Sequence, residues 1–548
     1  MDSVSRYTPD LVARYVRLGY WQPLTLAQAW DNNAVQYPDR EAVADSSRRM
    51  SWRAAKPQID RIASGLQKAG LKPRDLIVLQ LPNSVELCLT RVACEKAGLL
   101  YLPVLRTLRD SDMEYILSFT RAKALVIRDE FHGFNYLKMV EAIRPRIPQP
   151  VMTFVSGNTT PSWAYSLSDM VNDSSGDSSS RQDAVDHEGK SFRASFICST
   201  TGTTGFPKFV QYTTAARMAF SRGFIEALGL TASDTLAALS PAPSGPNVGV
   251  YFGAPQIPAK AVFLERFEAE EALKLLVRER VTVVCGVPAQ MALILNHPRL
   301  AHFDLSSVRA WWSTGSELPH GTATEFERRT GVKVVNDYGA VDFGGIVAAG
   351  VEDSEDTRLL SVGKPRANTV IRLVDEAGQD VSGGQVGEVW GTGPSCSGGY
   401  FLDQEATAKA WNGEWFATGD LGRFDAKGNL VIVGRKKDMI IRGGWNIYPK
   451  EVEDLLLTHP AIADVAIVGM PDPIMGERLC AYIVTRAPRR LALNDVVSFL
   501  SGKGLPAYKS PDRIELIDRL PMVAEGQKAD KKALRADITE KLRTERKI

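Results

Sequence analysis

The sequence predicts an α/β protein, with helices and strands layered around a largely parallel sheet and a second, smaller domain at the C-terminal end. Three observations predict it. Helix and strand signals alternate through the first part of the chain, the alternation returns in the middle, and the pattern changes between about residues 420 and 450. A chain of 548 residues also exceeds what one ordinary core supports, so two or more domains are expected.

In order along the chain, "IDRIASGLQKAG" sets Ile59, Ile62, Ala63 and Leu66 on one helical face and ends at Gly70. "DLIVLQL" (75–81) is a short apolar run of strand type, followed by an amphipathic helix in "SVELCLTRVACEKAG" and a strand in "LLYLPV". "NDSSGDSSSRQDAVDHEGK" (172–190), with almost no apolar residues, reads as an exposed insertion, because the α/β rhythm resumes after it. In "EEALKLLVRERVTVVCGVP" a helix carrying Leu273, Leu276 and Val277 runs into a strand over Val281–Cys285. "GNLVIVGRKKDMIIRGGWNIYPKEVEDLLL" then joins a strand, a basic turn, a short strand, a glycine pair and a helix opening at Pro449. The remaining tail of about 110 residues has the size of a domain, with strands in "ADVAIVGM" and "LCAYIVT". A short basic hinge between two domains is where rigid-body motion is expected. The division falls at 1–436 and 437–548.

Composition narrows the function classes. Hydrophobic residues make up 44% and charged residues 24%, the balance of a soluble globular protein. The 66 basic and 64 acidic side chains leave a net charge of +2, without the clustered excess of base that marks a nucleic-acid partner. No apolar run reaches membrane-spanning length and "MDSVSRYTPDLVARY" has no apolar signal core, so a cytoplasmic location without a membrane partner is expected. Cys88, Cys94, Cys198, Cys285, Cys396 and Cys480 stand far apart, and the six histidines are scattered. Reduced thiols are expected, not a disulfide scaffold or a zinc site.

The stretch "CSTTGTTGFPKFV" (198–210) points to a phosphate. Thr200, Thr201, Thr203 and Thr204 offer hydroxyls, Gly202 and Gly205 open the backbone N–H groups, and Lys208 supplies charge. It is not a Walker loop, since Pro207 precedes the lysine and Phe209 follows it, and no helix can start there. Four further stretches are weak singly. "NDYGAVDFGG" (336–345) sets an aromatic and a carboxylate among small residues, and "FATGDLGRFDAKGNL" (416–430) holds Asp420 in a tight glycine turn. "VGRKKDMIIRGG" (433–444) supplies Arg435 and then a glycine pair, and "PMVAEGQKADKKALR" (521–535) leaves Lys528 in a mobile tail. In this order and at these separations they resemble the core motifs of the adenylate-forming superfamily, which includes acyl-CoA synthetases, firefly-type luciferases and the adenylation domains of peptide synthetases. The resemblance runs from about residue 25 to 540.

The resemblance implies a large N-terminal α/β domain of layered sheets and helices with a small mobile α+β C-terminal domain that rotates between two half-reactions. A carboxylate attacks the α-phosphate of ATP to give an acyl-adenylate and pyrophosphate, and a thiol then displaces AMP. Bringing two anions together calls for cations and donors aimed at developing negative charge. By the resemblance Lys528 is the catalytic lysine bridging the carboxylate and the α-phosphate, with Lys208 and Thr203 assisting from the phosphate loop. Asp342 matches the ligand of Mg²⁺, Tyr338 the ring stacked on adenine, and Gly315, Ser316, Asp337 and Gly339 lie along the nucleotide. Asp420 matches the residue that takes both ribose hydroxyls, a task suited to two acceptor oxygens. Arg435 lies near ribose and phosphates, Lys437 at the hinge, and Gly443 and Gly444 along the thiol tunnel. Three departures stand out: Val341 replaces a threonine, Asp342 a glutamate, and Gln527 the glycine before the lysine.

Two features bear on the substrates. "YVRLGYWQPLTLAQAWDNNAVQYPDREAV" and Phe209 after Lys208 are similar to the dihydroxybenzoate–AMP ligases, which load carrier proteins. "SPAPSGPNVGVYFG" (240–253) instead has Pro243 and Ser244 where those enzymes carry histidine and asparagine, and "GGWNIYPKEVE" is similar to small-acid and aryl-CoA ligases. A pocket of Pro243, Ser244, Gly245, Val248, Ala340 and Gly344 suits an apolar or weakly polar body. The reading is a CoA ligase for an aromatic, alicyclic or medium-chain acid, using ATP, Mg²⁺ and coenzyme A. Its alternatives are a stand-alone aryl-acid–AMP ligase loading the phosphopantetheine of a carrier protein in trans, and a catalytically weakened nucleotide-binding homologue. Relatives are commonly dimers, so a homodimer is compatible.

Overall fold

The computed structural model describes residues 5–173, 190–200, 207–486, 491–523 and 528–545. Most of the insertion expected at 172–190 and most of the threonine-rich loop fall outside them. The described residues form two large sheets, each built mainly of parallel strands. The nine-stranded sheet runs in the order Lys364–Pro365, Val347–Ala348, Lys333–Tyr338, Ala310–Ser313, Val283–Gly286, Thr235–Ala238, Lys260–Phe263, Glu41–Ala44 and Arg49–Ser51. The seven-stranded sheet runs Phe209–Thr213, Ala194–Ser199, Leu100–Pro103, Leu76–Gln80, Ala124–Arg128, Met152–Ser156 and Tyr165–Ser166.

One continuous core joins the sheets: Ile77, Leu79 and Tyr101 from the second share it with Ala238, Cys285 and Trp312 from the first. The helices Val85–Lys96 and Thr214–Leu228 lie between them and are buried on nearly every face. "SVELCLTRVACEKAG" is therefore not the half-exposed amphipathic helix its few charges predict. Even Arg91 is buried, its guanidinium 3.8 Å from the Tyr251 ring centroid. Helices Ala269–Arg278, Pro288–Leu295 and His320–Thr330 cover the outer face of the first sheet, giving helix and sheet layers in alternation.

Most of the expected elements form. Ile59, Ile62, Ala63 and Leu66 are buried on the helix Trp52–Lys68, and the helix at Pro449 runs to Leu457. Two details differ. Val277 is exposed at the end of its helix, and the strand after it spans Val283–Gly286. Beyond Arg435 the core changes hands. A sheet of Trp445–Ile447, Ile440–Arg442, Gly476–Thr485, Ile462–Asp472 and Arg513–Leu516 carries its own hydrophobic clusters on both faces, making the smaller domain.

Candidate active site

Among the candidate residues, Thr200, Pro243, Gly315 and Tyr338 lie at or just beyond the C-terminal ends of strands in the two large sheets, where open α/β sheets place their ligands. The phosphate-loop candidate joins the antiparallel strands Ala194–Ser199 and Phe209–Thr213. At its mouth the Thr200 N–H donates to the Lys208 carbonyl at 2.8 Å, and the Lys208 N–H to Thr200 Oγ1 at 3.3 Å. Thr201, Gly202, Thr203, Thr204 and Gly205 lie outside the described residues. As Pro207 and Phe209 predict, a strand follows the lysine and the next helix opens only at Thr214.

Lys208 Nζ sits 4.8 Å from the centroid of the Tyr400 ring. The Tyr400 hydroxyl donates to Asp342 Oδ2 at 2.9 Å. Burial and the Asp342 charge push this phenol far above its ordinary range. Tyr400 is the residue that sequence reasoning missed. It is 58 positions from Asp342, and an aromatic after two glycines carries no local signal of that partnership.

The turn around Asp342 is tightly held. The Gly344 N–H donates to the Ala340 carbonyl at 2.7 Å, Ser397 Oγ to the Asp342 carbonyl at 2.6 Å, and the Tyr212 hydroxyl to the Val341 carbonyl. Val341 packs its side chain against the main core. Gly344 has φ +80°, and a β-carbon there would fall 2.5 Å from the Tyr212 oxygen and 2.8 Å from the Ser395 carbonyl. Both the backbone conformation and the space exclude a side chain. Gly344→Ala is expected to cost on the order of 3 kcal/mol, read as a lowered melting temperature.

Tyr338 and Asp420 meet across the crevice. The Tyr338 hydroxyl donates to Asp420 Oδ2 at 2.8 Å, and Arg435 Nε pairs with Oδ1 at 2.9 Å. Asp420 and Arg435 face one another in the ladder between Trp415–Phe424 and Leu430–Arg435. Asp420 thus sits within a strand, not in the tight turn expected. Gly419 at φ +71° and a bulge at Leu421–Gly422 bend that strand at the site. Asp420 holds the Arg435 guanidinium further into its charged form, and the Asp342 charge adds a smaller contribution. At Gly339 a β-carbon would meet the Gly345 carbonyl at 2.8 Å. Lys437 falls in the turn Lys436–Asp438, where burial and the Arg435 charge lower its pKa.

Pro243, Ser244 and Gly245 form the turn that leads into Pro246–Val248, with the Val248 N–H donating to the Gly245 carbonyl at 3.0 Å. It adjoins the Gly315–Ser316 loop. A β-carbon on Gly315, at φ +88°, would lie 3.5 Å from Val287 and 3.9 Å from Pro246. A cleft of about 510 Å³ lined by Pro241, Ala242, Pro243 and Val287 opens beside them. Ala340 packs instead against Phe343, Cys396 and Phe416.

Asp337 does not stand with Tyr338. Strand alternation turns it to the opposite face, where it pairs with Thr314 and acts on Cys285. Burial pushes its carboxyl up to about 7. Its ordinary value is near 4, so between these limits the folded chain holds a proton that the unfolded chain has lost. Stability from this residue is full below about pH 4 and declines by about 1.4 kcal/mol per unit as pH rises towards 7. Asp337→Asn cannot titrate, and its melting temperature relative to the parent is expected to rise across that window.

Two expected residues are not gathered here. Gly443 and Gly444, at φ +55° and +84°, are exposed, and a β-carbon would strike Met475 at the first and nothing at the second. Lys528 is not in a free tail, because its backbone pairs with Val523 in an antiparallel ladder. The small domain contacts the large one through an ion pair between Lys450 and Glu317. Among the described residues no three His, Cys, Asp or Glu side chains cluster as a metal site, and no helix is long and apolar enough to cross a membrane.

A family model described as AMP-binding enzyme matches residues 30–401, and one described as AMP-binding enzyme C-terminal domain matches residues 451–527. The chain is 32% identical over 537 residues to a medium-chain fatty-acid–CoA ligase of Escherichia coli (strain K12), covering 97% of this chain and 93% of that one. It is 30% identical over 546 residues to the 2,3-dihydroxybenzoate-AMP ligase of Bacillus subtilis (strain 168), covering 98% of each. Its fold matches the crystal structure of the anthranilate CoA ligase AuaEII in complex with anthranoyl-AMP, with a TM-score of 0.85 and 24% identity, over 95% of this chain and 98% of that one.

Proposed function

Because the chain belongs to the AMP-binding enzyme family, a family of adenylate-forming ligases, we propose that it activates an aromatic, alicyclic or medium-chain carboxylic acid with ATP and passes the acyl group to coenzyme A. The observation that supports this reading is two sets of contacts among the motif residues: Tyr338 and Arg435 both meet Asp420, and Tyr400 bonds to Asp342 beside Lys208. Asp420 and Arg435 would serve the ribose, and Lys208 the leaving phosphates. In the first step a carboxylate oxygen bonds to the α-phosphorus and the bond to the bridging oxygen breaks, releasing pyrophosphate. Lys528 bridges the two anions as they meet. In the second step a thiol sulfur bonds to the acyl carbon and AMP departs.

A lone carboxylate, Asp342, suits Mg²⁺, which is usually held by one or two carboxylates together with substrate phosphates. Bound there, the ion would neutralise phosphate charge. Hinge motion at Lys437 would carry Gly443 and Gly444 from solvent to the thiol path. The carrier-loading reading keeps one supporting observation, the N-terminal segment. Its Tyr7 hydroxyl donates to the Cys396 carbonyl at 2.6 Å and its Trp21 indole N–H to the Pro394 carbonyl at 2.8 Å, which fixes it beside the Asp342 turn.

The test is mass analysis of products from ATP, Mg²⁺ and a panel of benzoates, cyclohexanecarboxylate and fatty acids of increasing length, with and without CoA. An acyl-CoA mass with one acid is expected. An adenylate that CoA does not discharge would move the acceptor to a carrier protein.

A further inference from the structure

Among the described residues several carboxylates are buried, and all but one are answered by a cation or by backbone N–H groups. Asp234 pairs with Arg309, Glu279 with Lys260, Asp420 with Arg435 and Glu453 with Lys531. Asp45 receives the backbone N–H groups of Ser47, Arg48 and Val85. Asp337 is 7% exposed and has neither. Thr314 satisfies one side of it, and Oδ1 has no hydrogen-bond partner among the described residues. Leaving a buried carboxylate oxygen unpaired is costly, so Oδ1 is an acceptor position that a bound donor would fill.

Its place identifies the donor's direction. Asp337 lies on the face of the nine-stranded sheet shared by Val335, Trp312 and Cys285, all in the core between the two sheets. The acyl segment packs into that same core through Ala242, Val248 and Phe252. Thr314, its partner among the described residues, precedes Gly315, which adjoins Pro246 of that segment. Tyr338, on the other face, turns to Asp420 and the nucleotide side.

Resting on the acid-activating reading above, we propose that Asp337 is a specificity residue that accepts an N–H from an amino group carried by the acid, so that the substrate is an amino-substituted carboxylic acid. The otherwise apolar surroundings hold the body of that acid. With the protonated amine bound, the carboxylate that burial pushes towards neutrality would be ionised.

The test is acid-dependent ATP–pyrophosphate exchange with matched series: benzoate and its amino and hydroxy derivatives, cyclohexanecarboxylate and 4-aminocyclohexanecarboxylate, hexanoate and 6-aminohexanoate. Within one series the amino acid is expected to exceed its unsubstituted partner in kcat/KM by on the order of 10². Asp337→Ala should bring that ratio to about one or below. The isosteric Asp337→Asn should leave it in between. A ratio taken within one protein does not depend on how much of a variant folds. Exchange without amino preference, or a preference unmoved by Asp337→Ala, would overturn the proposal and leave the acid-activating reading standing. So would a hydroxy derivative that outruns the amino one, or a variant defect seen equally with every acid as a raised KM for ATP, which would give Oδ1 to the adenine amine. No exchange with any acid would overturn both.

Discussion

Lys528→Ala is expected to slow acyl-adenylate formation by on the order of 10²–10³, the usual loss when one well-placed donor to developing charge is removed. The physical need is plain: a carboxylate and a triphosphate repel, and no other cation of the small domain has this assignment. Lys528 follows the four residues 524–527, which lie outside the described residues, and its backbone is held by Val523. The ladder gives the lysine a fixed base, which a loose tail would not. The effect should be confined to one half-reaction. Transfer from a synthetic acyl-adenylate to CoA should fall far less than pyrophosphate exchange, because the second step attacks the acyl carbon and has no second anion to bring in. Equal losses in both assays would mean that Lys528 holds the small domain together and does not serve the chemistry.

Asp420→Ala is expected to raise the KM for ATP by on the order of 10², from the loss of a charged acceptor for two ribose hydroxyls. The competing effect is on stability, and magnitudes separate the two. Asp420 is 5% exposed, but its partner Arg435 has a side chain 45% exposed. Water can re-solvate the guanidinium once the carboxylate is gone, so the stability cost should be nearer about 1 kcal/mol than the larger penalty of a fully buried pair. Tyr338 keeps its hydroxyl near the same opening. ATP titration and thermal melting on the same preparation distinguish the effects. A collapse of folding with unaltered ATP affinity would make Asp420 a structural anchor.

What the sequence discloses follows from the range of each interaction. Ile59, Ile62, Ala63 and Leu66 are legible because a helical repeat reports a buried face whatever lies against it. The same repeat cannot report a second partner. Val85–Lys96 is enclosed by two sheets, and its Arg91 is satisfied by aromatic rings distant in sequence. Val277 follows the expected period but lies at a helix end, where the covering layer runs out. In the site, Asp420, Arg435 and Asp342 are legible through motif order, while the strand that actually carries Asp420 is masked by its glycines. Tyr400 has no local signal in the sequence, and motif order names Asp337 without its orientation. One depends on a contact 58 residues away, and the other on which face of its strand it occupies.

The most direct test of the account is exchange of labelled pyrophosphate into ATP, measured with Mg²⁺ and each acid of the panel, with the adenylate identified by mass. The account predicts label in ATP only when a suitable acid is present, together with an acyl-AMP mass and its loss in Lys528→Ala. ATP binding without acid-dependent exchange would contradict it, and would leave a nucleotide-binding homologue whose Val341 and Asp342 replacements had silenced the chemistry.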